Sequence, residues 1–144
     1  MKNTSFILLL SVITLSLANA QERIVTAGAS TSEIVCALDM CDHIVATDRT
    51  SQYPVKLQKL PSIGYRSSIN AEGIIAQNPD LVIFEKEYVK NEVIDQLKST
   101  KVRTVVVEQN RDLSSAKNRI KTIAEVTGKK KKGQQLIKEI THDL

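Results

Sequence analysis

The sequence predicts an α/β fold with a doubly wound, mostly parallel sheet flanked by helices. Three observations carry this expectation. Short runs rich in β-branched residues alternate with longer amphipathic runs. The short runs are apolar almost throughout, which suits strands covered on both faces. The longer runs carry helix start and stop signals.

The strand candidates are Ile24 to Ala27, Ile44 to Thr47, Leu81 to Phe84 and Val102 to Val107. Helices are expected near Thr31 to Leu38, Ala71 to Gln77 and Tyr88 to Lys98. The first carries Ser30 at N-cap and Glu33 at N3, a capping box. The second has Asn70 as N-cap, with Ile69 and Ile74 placed as a hydrophobic staple. Glu72, in its first turn, favours the helix dipole. A further helix begins after Asp112, with Leu113, Ala116, Ile120, Ile123 and Ala124 at spacings of three and four, and stops at Gly128. Lys129 to Lys132 form a run of like charge that reads as a solvated helix surface or turn. After Gly133, helical spacing returns in Leu136, Ile137 and Ile140.

Residues 1–20 read as a signal peptide outside the fold. Lys2 precedes an apolar run from Phe6 to Leu17, and Ala18-Asn19-Ala20 supplies the small residues of a cleavage site. The run is short for a bilayer span, and no cysteine follows it closely enough for a lipid anchor. What remains is one ordinary domain.

Composition and motifs exclude several function classes. The net charge of +4 is spread along the chain and makes no nucleic-acid footprint. Gly28 has no partner glycines for a dinucleotide fingerprint, and there is no phosphate loop. His43 and His142, with Cys36 and Cys41, match no zinc spacing. Ser30-Thr31-Ser32 lacks a nucleophile elbow. Cys36, among Ile34, Val35 and Leu38, reads as a core residue. The alternative is a bridge to Cys41, which would close a very small loop and requires the helix to end between them.

The stretch from Leu60 to Ala76 carries the candidate site. Pro61 and Gly64 frame a short polar loop that places Tyr65 before the Asn70-capped helix. A tyrosine at a domain edge can act simply as cover, ring on apolar surface and hydroxyl in water. A phenolate is also a hard oxygen donor suited to ferric iron, and tyrosine is one of the proximal ligands of haem. A phenol ordinarily titrates near pH 10, so ligation at neutral pH calls on the iron, an adjacent cation, or both. Arg66 is such a cation. Ligands of doubly wound sheets bind beyond the carboxyl ends of the strands. Those ends are Gly28 to Ser30, Asp48 to Ser51, Glu85 to Glu87 and Glu108 to Asn110, and the Tyr65 loop belongs to the same rim.

Several segments together resemble the amino-terminal lobe of periplasmic haem-binding proteins, the substrate-binding components of bacterial haem ABC importers and part of the class III periplasmic binding proteins. They are Arg23 to Gly28, Thr31 to Leu38, Asp48 to Pro54, Ile63-Gly64-Tyr65, Asn70 to Ile74 and Asn78 to Ile83. The resemblance runs from about Arg23 to the end of the chain. It implies one lobe of a two-lobed carrier spanning residues 21–128, with residues 129–144 starting an interlobe helix and the second lobe lying beyond a partial chain.

It further implies a monomeric periplasmic protein that binds haem, hands it to the permease subunits of an inner-membrane ABC importer, and works downstream of an outer-membrane haem receptor. The axial role carries over to Tyr65. The family often has arginine two residues after that tyrosine; here that place is Ser67, with Arg66 one residue earlier. Arg49, Lys86, Ser67 and Lys90 are candidates for the haem propionates beside Arg66, although each except Arg66 also reads as a plain solvated group. The glutamate of the Asn-x-Glu sequence docks on the permease in related proteins, which carries that role to Glu72. Ferric siderophores and cobalamin are alternative ligands within the family. A small periplasmic α/β enzyme acting through Asp48 and Tyr65 is the alternative of another class.

Overall fold

The structure is a computed structural model and describes residues 21–142; the signal-peptide reading of residues 1–20 lies outside them. Four strands, β1 (Ile24–Ala27), β2 (Ile44–Thr47), β3 (Leu81–Glu85) and β4 (Arg103–Val107), form one parallel sheet in the order β2-β1-β3-β4. Each lies within one residue of its expected bounds. Alternation in β3 explains why its sequence is apolar throughout: Leu81 and Ile83 face one core, Val82 and Phe84 the other.

Helices α1 (Ala29–Ala37) and α4 (Leu113–Val126) and helices α2 (Ala71–Ile75) and α3 (Asn91–Lys98) flank this sheet, and α5 (Lys130–His142) lies on α4. One core joins Ile24, Leu81 and Ile83 to Val35 and Leu38 of the α1 region and to Ile123 and Ala124 of α4. The other joins Val25, Val82 and Phe84 to Ile74 of α2 and to Val93, Ile94 and Leu97 of α3. The strand order reverses direction between β1 and β3, where doubly wound sheets open a crevice at their carboxyl ends.

Several expectations need correction. Ser30 is not the N-cap of α1. Gly28 holds that place with φ 110°, no side chain caps the helix locally, and Ser30 sits inside the first turn. A carboxylate from β3 supplies the missing acceptor: Glu85 Oε1 takes hydrogen bonds from Ser30 N (3.0 Å), Ser30 Oγ (2.7 Å) and Thr31 N (3.3 Å). The third helix begins at Asn91, and Tyr88 lies in the turn before it. Cys36 and Cys41 are bridged, with α1 ending at Ala37 so that the chain turns back between them. Asn70 does cap α2, its side chain accepting from Gly73 N at 2.7 Å, and Asp112 caps α4 through Ser115 N at 2.8 Å.

The lysine run opens α5, where Lys130 to Lys132 face the positive end of the helix dipole. Lys132 is offset by Asp39 at 3.2 Å. A close approach seats α5 on α4: a Cβ at Gly133 would stand 2.4 Å from that of Ala124.

Candidate ligand-binding site

The Tyr65 loop is stitched to the carboxyl end of β2. Thr47 N donates to Pro61 O (3.1 Å), Ile63 N to Thr47 O (2.9 Å) and Arg49 N to Gly64 O (3.0 Å). Pro61 to Gly64 therefore runs beside β2 as a short extended segment, with a bridge between Thr47 and Ser62. Gly64 then turns with φ 110°, a conformation open to glycine at little cost. Ser68 closes the next turn, its Oγ accepting from Tyr65 N and donating to Tyr65 O, both at 2.9 Å. Tyr65 is thus held at its backbone while its side chain remains 44% exposed at the rim.

Arg66 has φ 42°, the left-handed region that a side chain enters only at a cost of roughly 1–2 kcal/mol. Its guanidinium folds back onto the preceding residue, Nε donating to the Tyr65 hydroxyl oxygen at 3.0 Å. That bond pushes the Arg66 pKa further up, so the group stays charged. The Arg66 guanidinium thus lies beside the Tyr65 hydroxyl although the arginine directly follows the tyrosine in the chain.

A second tyrosine completes the cluster. The rings of Tyr88 and Tyr65 meet edge to face, centroids 6.4 Å apart at 89°. The Arg66 guanidinium carbon lies 4.9 Å from the Tyr88 centroid and 5.6 Å from that of Tyr65. The Tyr88 hydroxyl donates to Asp48 Oδ2 at 2.5 Å. Burial, then the bond to Asp48, push the Tyr88 phenol far above its ordinary range. Tyr88 is therefore a fixed neutral donor.

Asp48 is buried and accepts five hydrogen bonds, from Gly28 N, Thr50 N, Thr50 Oγ1, Ser51 Oγ and Tyr88. Burial pushes its carboxyl up, but the bonds from Thr50, Tyr88 and Ser51 outweigh this and hold it below the usual carboxylate range. A buried hydroxyl chain continues inward, Ser51 Oγ to Ser32 Oγ (2.6 Å) and on to Thr26 Oγ1 (2.7 Å).

Of the residues singled out in the sequence, Tyr65 and Arg66 meet, and Arg49 adjoins them through its backbone bond to Gly64, its side chain exposed. Ser67 is exposed on the same turn, while its neighbour Ser68 holds the loop. Lys86 turns towards β4 and pairs with Glu108 at 3.2 Å. Lys90 is exposed at the N-cap of α3, and Glu72 is exposed in the first turn of α2. Sequence reasoning missed Tyr88, taking it as the first residue of the helix expected from Tyr88 to Lys98. The signal available was its place three residues after the carboxyl end of β3, at the crevice. Among the described residues, no group of three or more His, Cys, Asp or Glu is placed to hold a metal ion.

A single sheet of this order, with an aromatic and cationic cluster on its carboxyl rim, defines one lobe of a substrate-binding protein. The chain belongs to the periplasmic binding protein family, which it matches over residues 24–144. The structure superposes on the apo form of the periplasmic heme-binding protein RhuT from Roseiflexus sp. RS-1 with a TM-score of 0.81 and 29% identity, covering 85% of this chain and 47% of that one.

The ABC transporter substrate-binding lipoprotein YvrC of Bacillus subtilis is 30% identical over 125 residues, 85% of this chain and 40% of its own. The vitamin B12-binding protein of Yersinia pestis is 35% identical over 91 residues, 63% of this chain and 32% of its own. The chain thus spans less than half the length of these relatives and corresponds to their family's amino-terminal lobe. These relatives are, in turn, a heme-binding, an ABC transporter substrate-binding and a vitamin B12-binding protein, and the family implies an extracytoplasmic location.

Proposed function

We propose that this chain forms the amino-terminal half of a periplasmic haem carrier, with Tyr65 as the protein ligand of ferric haem iron, and that it delivers haem to an ABC-type importer of the inner membrane. The observation that carries the reading is the Arg66 Nε bond to an exposed tyrosine oxygen at 3.0 Å. A cation donating to that oxygen stabilises the negative charge it takes on when it binds iron. Tyr88 is unsuited to the same role, because its hydroxyl is spent on Asp48.

The amino end of α1, which otherwise suits an anion, is filled by Glu85. Haem propionates would therefore be met by Arg49 and by Ser67 on the Tyr65 turn, whereas Lys86 is drawn off by Glu108. Glu72, exposed at the start of α2, would meet the permease. The Cys36–Cys41 disulfide suits an oxidising compartment. Stoichiometric capture is favoured over turnover, since Asp48, the acid of the enzymatic alternative, is saturated by internal hydrogen bonds.

Addition of ferric haem to the purified chain should produce a ferric tyrosinate spectrum that Tyr65→Phe abolishes. A second reading, cobalamin as ligand, is favoured by the 35% identity to the vitamin B12-binding protein. It predicts uptake of cobalamin and no ferric tyrosinate band.

A further inference from the structure

We propose that Tyr88 is the positioning residue of this site: anchored on Asp48, it holds the Arg66 guanidinium against the Tyr65 oxygen, and so decides which of the two phenols serves as ligand. The proposal deepens the haem reading and rests on it for the role of Tyr65.

The geometry is a relay from core to rim. Asp48 is 2% exposed and cannot shift without breaking bonds to Gly28, Thr50 and Ser51. Its Oδ2 fixes the Tyr88 hydroxyl, and with it the plane of a ring that is itself 4% exposed. The face of that ring carries negative quadrupole density, and the Arg66 carbon stands over it at 4.9 Å. The Tyr65 ring meets the same ring edge to face.

Arg66 is otherwise a long side chain on an exposed turn, with several rotamers open to it. The sole hydrogen bond of its side chain among the described residues goes to Tyr65. Tyr88 narrows that freedom, leaving Nε aimed at the Tyr65 oxygen. Geometry divides the two phenols: Tyr88 is buried with its hydroxyl bound to Asp48, whereas Tyr65 is exposed with its hydroxyl oxygen turned to Arg66.

The test reads Arg66 directly, before any ligand is added. In the NMR spectrum of the ligand-free chain, the Arg66 Nε–H proton should show a through-space contact to the Tyr88 ring protons and a resonance displaced from that of exposed arginines. Absence of the contact overturns the proposal without any variant. Tyr88→Leu removes the ring and should return the resonance to the exposed position. Tyr88→Phe keeps the ring but cuts its tie to Asp48, and should move the resonance the same way by less.

On titration with ferric haem, Tyr88→Leu should bind about tenfold more weakly, the combined worth of one cation–π and one aromatic contact, and show a diminished tyrosinate band. Folded variants with the parental Arg66 resonance and parental haem spectrum refute the role of Tyr88. A parent that shows the NMR contact but takes up no haem leaves the positioning intact and rejects the haem reading instead.

Discussion

Glu85 and Ser30, fifty-five residues apart in the chain, close the amino end of α1 between them: both the backbone N–H and the hydroxyl of Ser30 donate to Glu85 Oε1, at 3.0 and 2.7 Å. A strand thus supplies the cap that the helix lacks. Glu85→Ala strands these donors and should lower stability by about 1–3 kcal/mol. Gly28→Ala should cost at least as much, because its φ of 110° disfavours any side chain and a Cβ there would stand 2.3 Å from Glu85 Cδ. Urea unfolding midpoints at unchanged slope measure both.

Acid should act through Asp48. Its pKa is lowered on folding, so its contribution is complete above the unfolded value of about 3.9 and is lost as pH falls through the lower folded value. Asp48→Asn should be less stable than the parent at pH 7, and should lose less on acidification below pH ~4. Denaturant midpoints compared at pH 7 and pH ~3 give the answer; parallel losses in the two proteins would contradict it.

The Cys36–Cys41 disulfide closes a loop of sequence separation 5. The chain-entropy relation gives about 2 kcal/mol for so short a loop. Replacing both cysteines by alanine should lower the unfolding free energy by that amount and leave the ligand rim unaffected.

Much of the fold was legible, and the exceptions at Ser30 and Tyr88 share one cause. The four strands are long enough in β-branched residues to announce themselves, and Asn70 and Asp112 cap their helices with local bonds that sequence spacing reveals. Ser30 misled because its true acceptor comes from β3. Tyr88 misled because Asp48, forty residues earlier, draws it to the rim. Cys36 misled because bridging depended on where α1 ends, and Asp39 with φ 61° makes that turn. The loop that carries Tyr65 was legible through Pro61 and Gly64, whereas the ring contact of Tyr65 with Tyr88 was not. Long-range contacts decide Ser30 and Tyr88, and no local pattern encodes them.

Gly133 sets how closely α5 lies on α4. Gly133→Val would drive a branched side chain into Ala124, already at 2.4 Å from a bare Cβ, and should cost about 1–3 kcal/mol. Thermal unfolding of the variant checks this.

Glu72 is exposed and makes no contact in the Tyr65 cluster, and under the proposed function its removal should separate capture from delivery. In a complete carrier, Glu72→Ala should leave haem affinity within about twofold and reduce uptake by reconstituted importer at least tenfold, on the order of one lost buried charge pair. Equal loss of both would reject its assignment to the permease contact.

The most direct measurement is the visible spectrum of the chain with stoichiometric ferric haem, recorded for the parent and for Tyr65→Phe. The account predicts a ferric tyrosinate band in the parent that vanishes in the variant, with affinity falling by tenfold or more as the metal bond and the Arg66-supported charge are lost. Haem uptake that is absent in the parent, or identical in the two proteins, would contradict it.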